Sequence, residues 1–177
     1  MRFLAFLLLC VTFLNAEGGA FKSISSDFTQ TIKSSENDTI KYSGSFQATS
    51  EGDNNFALWH YKTPIIKKIY FANNDVIILE PDLEQAVITT VDEIPDISHV
   101  LNEALKANKL TNKEITVNIA NVDYKISFQK NTPFKIAYTD ALDNKIEILL
   151  RNTILNTNID KRTFQAEIPT NYDIVRY

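Results

Sequence analysis

The chain has 177 residues and a mass of 20.1 kDa, which suits one domain. Its 18 Lys+Arg stand against 22 Asp+Glu, a net charge of −4. An acidic chain of this kind cannot neutralise phosphates over a broad face, so a general nucleic-acid binder is excluded.

The N-terminus reads as a targeting segment. Met1-Arg2 is followed by the almost wholly apolar run Phe3 to Leu14, and Leu14-Asn15-Ala16 ends on a small residue before Glu17. That run is about 12 residues, short of the ~20 a spanning helix needs, so residues 1–16 are expected to be a secretory signal peptide. Their removal takes away Arg2 alone; 18 basic residues become 17 and the net charge becomes −5. The single Cys10 lies inside the segment, behind Leu9 rather than the small residue that precedes a lipid-modified cysteine. The remaining domain, 17–177, then has no disulfide, no thiolate metal site and no Cys nucleophile. An exported, cysteine-free chain points to a bacterial periplasm.

Strand patterning follows. Phe28, Gln30 and Ile32 share one face, with Thr29 and Thr31 opposite. Ile40, Tyr42, Gly44, Phe46 and Ala48 share a parity, and Lys41, Ser43, Ser45 and Gln47 take the other. Such alternation marks half-buried antiparallel strands. Further strands are predicted at 55–61, 65–71, 75–79, 84–91, 113–119, 122–129, 134–139, 144–153 and 164–168, for about eleven in all. Asn does the turn work that Gly does elsewhere: Asn37-Asp38, Asn54-Asn55, Asn73-Asn74, Asn121, Asn131 and Asp143-Asn144 punctuate the strands.

One segment breaks the alternation. Residues 95–109 place Ile97, Val100, Leu101, Ala104 and Leu105 at helical spacing. Pro95 and Asp96 suit a helix start, and Lys106 and Lys109 suit its end. A second short helix is predicted near Ala20–Ser25. About eleven strands cannot lie as one flat sheet, so the sheet must curl, and a curled sheet needs cover on its concave side. The fold class is therefore mainly β with an α lid: an unclosed antiparallel β-barrel covered by short helices. Its interior is either filled by side chains or holds an apolar ligand.

Catalytic constellations are scarce. His60 and His99 are too far apart in sequence to suggest a metal site, and there is neither a G-x-S-x-G elbow nor a Gly-rich phosphate loop. The carboxylate pairs Asp92/Glu93 and Glu80/Asp82 sit beside turns, as solvated caps do. No enzyme, cofactor or metal is expected. Lys62, Lys67 and Lys68 gather around Pro64, where they suit either a solvated strand edge or a docking patch for an acidic partner. The aromatics crowd into the first half of the chain, which fits core packing and a lipid cavity equally well.

At this point the order of several short motifs resembles the periplasmic outer-membrane lipoprotein carrier family (LolA-like). Trp59 to Pro64 has the family's W-x-x-x-x-P spacing, followed by Ile69-Tyr70-Phe71 and then Pro81-Asp82-Leu83-Glu84-Gln85. Upstream, Phe28-Thr29-Gln30 is similar to its F-x-Q strand and Gly44-Ser45-Phe46 to the strand that follows. Downstream, Phe164 to Pro169 and Asp173-Ile174-Val175 are similar to its closing signature. The matches span nearly the whole of 17–177 in order.

The resemblance implies a half-barrel of about eleven strands with a helical lid over an apolar cavity. It implies a monomeric carrier that takes acylated lipoproteins from an inner-membrane lipoprotein-releasing ABC transporter toward the outer membrane, where the acceptor is not indicated. Candidate cavity residues are Phe28, Ile32, Tyr42, Phe46, Leu58 and Trp59, with Ile97, Val100, Leu101 and Leu105 from the lid. Leu58 and Trp59 alternate, so at most one of them lines the cavity. The family's K-R-P element, whose Arg tethers the lid, has no counterpart in Ala48 to Asn55, so the lid latch must differ or be absent. The alternative is an envelope interaction or stress-sensing domain that uses the same half-barrel with a filled interior.

Overall fold

In a computed structural model, residues 21–51, 54–90, 97–108 and 113–177 are described. They form one sheet of eleven strands. In chain order these are β1 (Ser23–Lys33), β2 (Thr39–Glu51), β3 (Asn54–Thr63), β4 (Lys67–Ala72), β5 (Asp75–Glu80), β6 (Gln85–Thr90), β7 (Glu114–Ile119), β8 (Val122–Gln129), β9 (Thr132–Thr139), β10 (Lys145–Leu155) and β11 (Asp173–Arg176). One α-helix, α1 (Ile97–Ala107), interrupts the strands between β6 and β7. The sheet order is β11-β6-β5-β4-β3-β2-β1-β10-β9-β8-β7, so the two halves of the chain meet where β1 pairs with β10. The sheet is open, with β11 at one edge and β7 at the other.

Turn chemistry sets the hairpins. Ala120-Asn121 and Lys130-Asn131 have positive φ at both residues, as the tightest hairpin turns require. Asn37, Asn73 and Asp143 also adopt positive φ. In the β9–β10 turn, the Asp140 carboxylate accepts from the backbone N–H groups of Leu142 and Asn144 and from the Asn144 side chain, each at 2.9 Å. Burial works against the charge there, but these three donors hold the carboxyl below its ordinary pKa.

The two faces of the sheet are covered differently. The inner face carries Ile24, Phe28, Phe46, Ala48, Ala57, Trp59, Tyr124, Ile126, Ile136, Ile148 and Leu150, and α1 packs its Val100, Leu101 and Ala104 into them. The outer face of β3 to β6 carries a separate cluster of Tyr70, Leu79 and Ala86, covered by Ala166, Ile168 and Tyr172 from the C-terminal segment. That segment makes a short 3-10 turn (Lys161–Phe164) whose Phe164 ring stacks on Phe56 at 6.1 Å. It then runs on to β11, which pairs parallel with β6.

Three expectations need correction. The predicted strand at 164–168 is not a strand: Ala166 and Ile168 alternate inward because the chain lies on the outer face, not because it joins the ladder. The eleventh strand is Asp173–Arg176, and its parallel pairing makes the sheet mixed rather than wholly antiparallel. The helix predicted near Ala20–Ser25 is also absent where it can be judged. Ser23–Ser25 opens β1, and Ala20 lies outside the described residues. The lid is thus a single helix among the described residues; Pro95, Asp96 and Lys109 fall outside them.

Candidate functional site

The inner face is built around an aromatic stack that crosses three strands. Phe28 on β1 pairs with Gly44 on β2, and Gly44 pairs with Tyr61 on β3. With no side chain at Gly44, the Phe28 ring reaches over it to meet Trp59 edge-on at 4.8 Å and Tyr61 at 5.1 Å. A Cβ at Gly44 would lie 1.9 Å from the His60 carbonyl oxygen and 2.9 Å from Cε1 of Phe28. Phe46 packs on Trp59 at 4.5 Å, and Tyr42 meets Tyr61 at 5.6 Å. Such ring pairs add about 0.5–1.5 kcal/mol each beyond their burial.

Below this stack the interior is full, and above it the interior is open. Val100, Leu101, Ala104 and Phe46 are wholly buried in the filled part. In the open part a cleft of about 580 Å³ lies against the inner face. One wall is formed by Ile32, Trp59, Tyr61, Ile69 and Phe71, the other by Val122, Tyr124, Tyr138, Ile146 and Ile148. Ile97, the first residue of α1, covers it, and Ala141 and Leu142 of the β9–β10 turn form its lip. Gln30 and Asp140 are its polar exceptions, and Gln30 accepts a hydrogen bond from the Tyr61 hydroxyl at 3.1 Å. Burial, and next the neighbouring Tyr42, push the Tyr61 phenol up to about 12. Burial also pushes Tyr138 well above its ordinary value, with Tyr124 and Tyr61 adding to it. Both shifts follow first from the burial of these phenols against the inner face.

Two further clefts have other characters. One of about 710 Å³ lies at the opposite end of the strands, among Lys22, Thr49, Asn102, Lys106 and Asn158. Another of about 670 Å³ lies among Lys33, Lys125, Lys145, Asp123 and Glu147. Polar and charged residues make up most of the lining of both, and the second adjoins the cleft under Ile97 through Val122, Tyr138 and Ile146.

Of the residues singled out in the sequence, Ile32, Trp59 and Ile97 line the cleft. Phe28 and Phe46 belong to the buried core that forms its floor, and Tyr42 touches the site through Tyr61. Leu58 stands on the outer face, packed against the cluster under the C-terminal segment, so Trp59 is the member of that pair that faces inward. Val100 and Leu101 fill the interior beside the cleft, and Leu105 packs at the margin of that core. The three lysines separate. Lys67 pairs with inward-facing Tyr61 and holds its ammonium 5.1 Å from the centre of that ring. Lys68 pairs with His60, whose pKa is lowered by burial and then by the charges of Lys68 and Lys62. His99 is exposed on α1. Among the described residues, no group of His, Cys, Asp and Glu is placed to hold a metal.

Sequence reasoning passed over Tyr61, Ile69 and Phe71 as cavity residues. Parity carried one step from Trp59 would have found Tyr61, and the β3–β4 register would have found the other two. It also missed the second wall. Nothing local in the sequence announces that Ile146 and Ile148 lie opposite Ile32 and Gln30.

Similar proteins were found by sequence and by structure. The outer-membrane lipoprotein carrier protein of Campylobacter jejuni is 37% identical over 156 residues, covering 88% of each chain. That of Wolinella succinogenes is 32% identical over 173 residues, covering 96% of this chain and 97% of its own. No protein-family model matches the chain. Among solved structures, a DUF1329 family protein from Desulfovibrio piger gives a TM-score of 0.49 at 9% identity, over 84% of this chain and 91% of that one. A LolA superfamily protein from Nitrosomonas europaea gives 0.42 at 10% identity, over 82% and 90%. On the strength of the two sequence relatives, the chain belongs to the outer-membrane lipoprotein carrier family.

Proposed function

We propose that this protein is a periplasmic, non-enzymatic carrier that holds the acyl chains of lipoproteins in the cleft under α1 and takes them from the inner membrane toward the outer membrane. The observation that carries this reading is the cleft: a surface of mostly aromatic and aliphatic side chains, open at one end, with the first residue of a helix over it. Exposed acyl chain costs about 0.8 kcal/mol per CH₂ in water, so a multiply acylated cargo cannot cross an aqueous space uncovered. Burying the chains on this inner face removes that cost.

The carrier must also let go, and the lid supplies the means. Small-ligand pockets run to about 300–1,000 Å³, and the cleft of about 580 Å³ falls within that range. A triacylated group exceeds such a ligand in bulk, so α1 has to yield the space that Val100, Leu101 and Ala104 now fill. Lid and cargo then compete for one surface, which keeps net affinity below what burial alone would give. Asn102 Oδ1 and both polar atoms of the Asn108 side chain are buried with no hydrogen-bond partner among the described residues.

In this reading the donor is an inner-membrane lipoprotein-releasing ABC transporter, and Lys62, Lys67 and Lys68 are the patch to test against an acidic docking surface on it. A second reading, an interaction domain with a filled interior, draws on the complete burial of Val100, Leu101 and Ala104. Native mass spectrometry with an added triacylated lipopeptide separates the two. A one-to-one complex is expected; a bare mass at saturating lipopeptide would contradict the carrier and favour the filled domain.

A further inference from the structure

Gln30 is out of keeping with its surroundings. On the inner side of β1 it stands between Phe28, which is buried, and Ile32, which lines the cleft. Its cross-strand neighbours are Ile148 on β10 and Tyr42 on β2. An apolar side chain would complete this row, and an amide is costly there unless each of its groups finds a partner. One group has a partner: Oε1 accepts from the Tyr61 hydroxyl at 3.1 Å, which fixes the orientation of the amide. Nε2 donates to no group among the described residues. It is not one of the buried polar atoms left without a partner, so it keeps an opening to the cleft that Gln30 lines. Asp140, the other polar exception in the lining, is already engaged, because its carboxylate accepts from Leu142 and Asn144 within its own turn. Among the described residues no Lys or Arg lines the cleft.

We infer that Gln30 is a specificity-determining residue of the cleft: its Nε2–H donates to the ester carbonyl of an acyl chain and so fixes how deep the chain enters. The inference rests on the carrier reading. The chemistry is selective. With no cation on the wall, an amide N–H suits a neutral carbonyl oxygen rather than an anion, and a bare alkyl chain offers it nothing. Position gives the contact its use. Along β1, Ile24 and Phe28 lie on the buried side of Gln30, and Ile32 lies on the open side. A carbonyl held at Gln30 sends its hydrocarbon toward the part of the inner face that α1 now fills, and leaves the glyceryl head toward the mouth. Apolar burial is non-directional and lets a chain slide along the wall. One directed hydrogen bond gives the chain a register. Tyr61, which holds the amide from β3, is the positioning residue for that donor.

The test compares two diacylated lipopeptides that differ only in how the chains join the glyceryl group, by ester in one and by ether in the other. Affinities for the purified protein are measured by isothermal titration calorimetry. Gln30→Met keeps the length of the side chain and removes the amide. It should weaken the ester form about threefold to tenfold, the worth of one hydrogen bond, and leave the ether form no weaker. Gln30→Glu keeps an acceptor for Tyr61 but has no N–H to donate, so it should weaken the ester form at least as much. Tyr61→Phe should weaken the ester form by less, since Nε2 remains and only its orientation loosens, and it too should spare the ether form. Parent-like binding of the ether form shows in the same experiment that each variant is folded. Equal losses on both lipopeptides, or undiminished affinity of Gln30→Met for the ester form, would overturn the inference and leave the carrier reading standing. A parent protein that binds neither lipopeptide would remove the carrier reading, and the inference with it.

Discussion

The filled and the open halves of the inner face are made of the same strands, yet they differ in what finishes them. In the filled half, α1 inserts Val100, Leu101 and Ala104 between Phe46 and the far wall, and these four side chains are wholly buried. In the open half the same strands continue as Tyr61, Ile69, Phe71 and Tyr138, but α1 has only Ile97 left to offer. The difference teaches that the cleft is not a packing failure of the sheet. It is the stretch of inner face that, among the described residues, α1 meets with Ile97 alone. Substitutions should therefore separate into those that cost stability and those that cost binding.

The largest effect is expected from Phe46→Ala in the filled half. Truncating a fully buried Phe costs about 3–5 kcal/mol, read as a loss of Tm, with acyl-probe affinity secondary. Phe71→Ala in the open half should do the reverse: stability falls by less than half as much, while affinity for a fluorescent fatty acid drops. Equal stability losses at the two sites would erase the distinction between the halves.

Leu101→Glu sharpens the comparison from the helix side. A carboxylate in the site of a fully buried leucine cannot stay there unpaired, so α1 leaves the interior. The β signal in circular dichroism should persist while retention of a triacylated lipopeptide is lost. Retention equal to that of the parent would refute the assignment of α1 as the lid.

The seam between the halves has its own weak point. Gly44→Ala places a methyl against the His60 carbonyl and the Phe28 ring, and overpacking of this kind costs about 1–3 kcal/mol or more. Ser at this position should be at least as harmful. A Tm unchanged by Gly44→Ala would mean that the ring stack does not need the close approach.

The smallest effect is alkaline. Tyr61 titrates near 12 in the folded protein and near 10 when unfolded. Between those values the unfolded chain has lost a proton that the folded one keeps, so stability is full below about pH 10 and falls as pH rises toward 12. Tyr61→Phe should make that fall shallower, because Tyr138 remains to titrate. An unaltered slope in chemical unfolding would argue that the phenol is hydrated and the cleft wet.

Much of this was legible in the sequence, and what was not has physical reasons. The alternation at Ile40 to Ala48 and the Asn-based turns gave the hairpins, because adjacent strands are fixed by local rules. The helical spacing from Ile97 to Leu105 stood out for the same reason. The 164–168 segment misled because Ala166 and Ile168 follow a strand's period while lying on a sheet rather than in it. Leu58 was ambiguous until the pairing with Tyr70 put it on the outer face. The second wall of the cleft was invisible, since the β1–β10 pairing joins residues more than a hundred positions apart and no short motif encodes it.

The most direct test of the account uses two adjacent residues that face opposite ways. Tyr70 belongs to the outer cluster and Phe71 to the cleft. Each is replaced in turn by the photoreactive benzoylphenylalanine, and the protein is irradiated with a triacylated lipopeptide. The account predicts an adduct from position 71 and none from position 70. Adducts at both, or at position 70 alone, would contradict the claim that acyl chains bind the inner face.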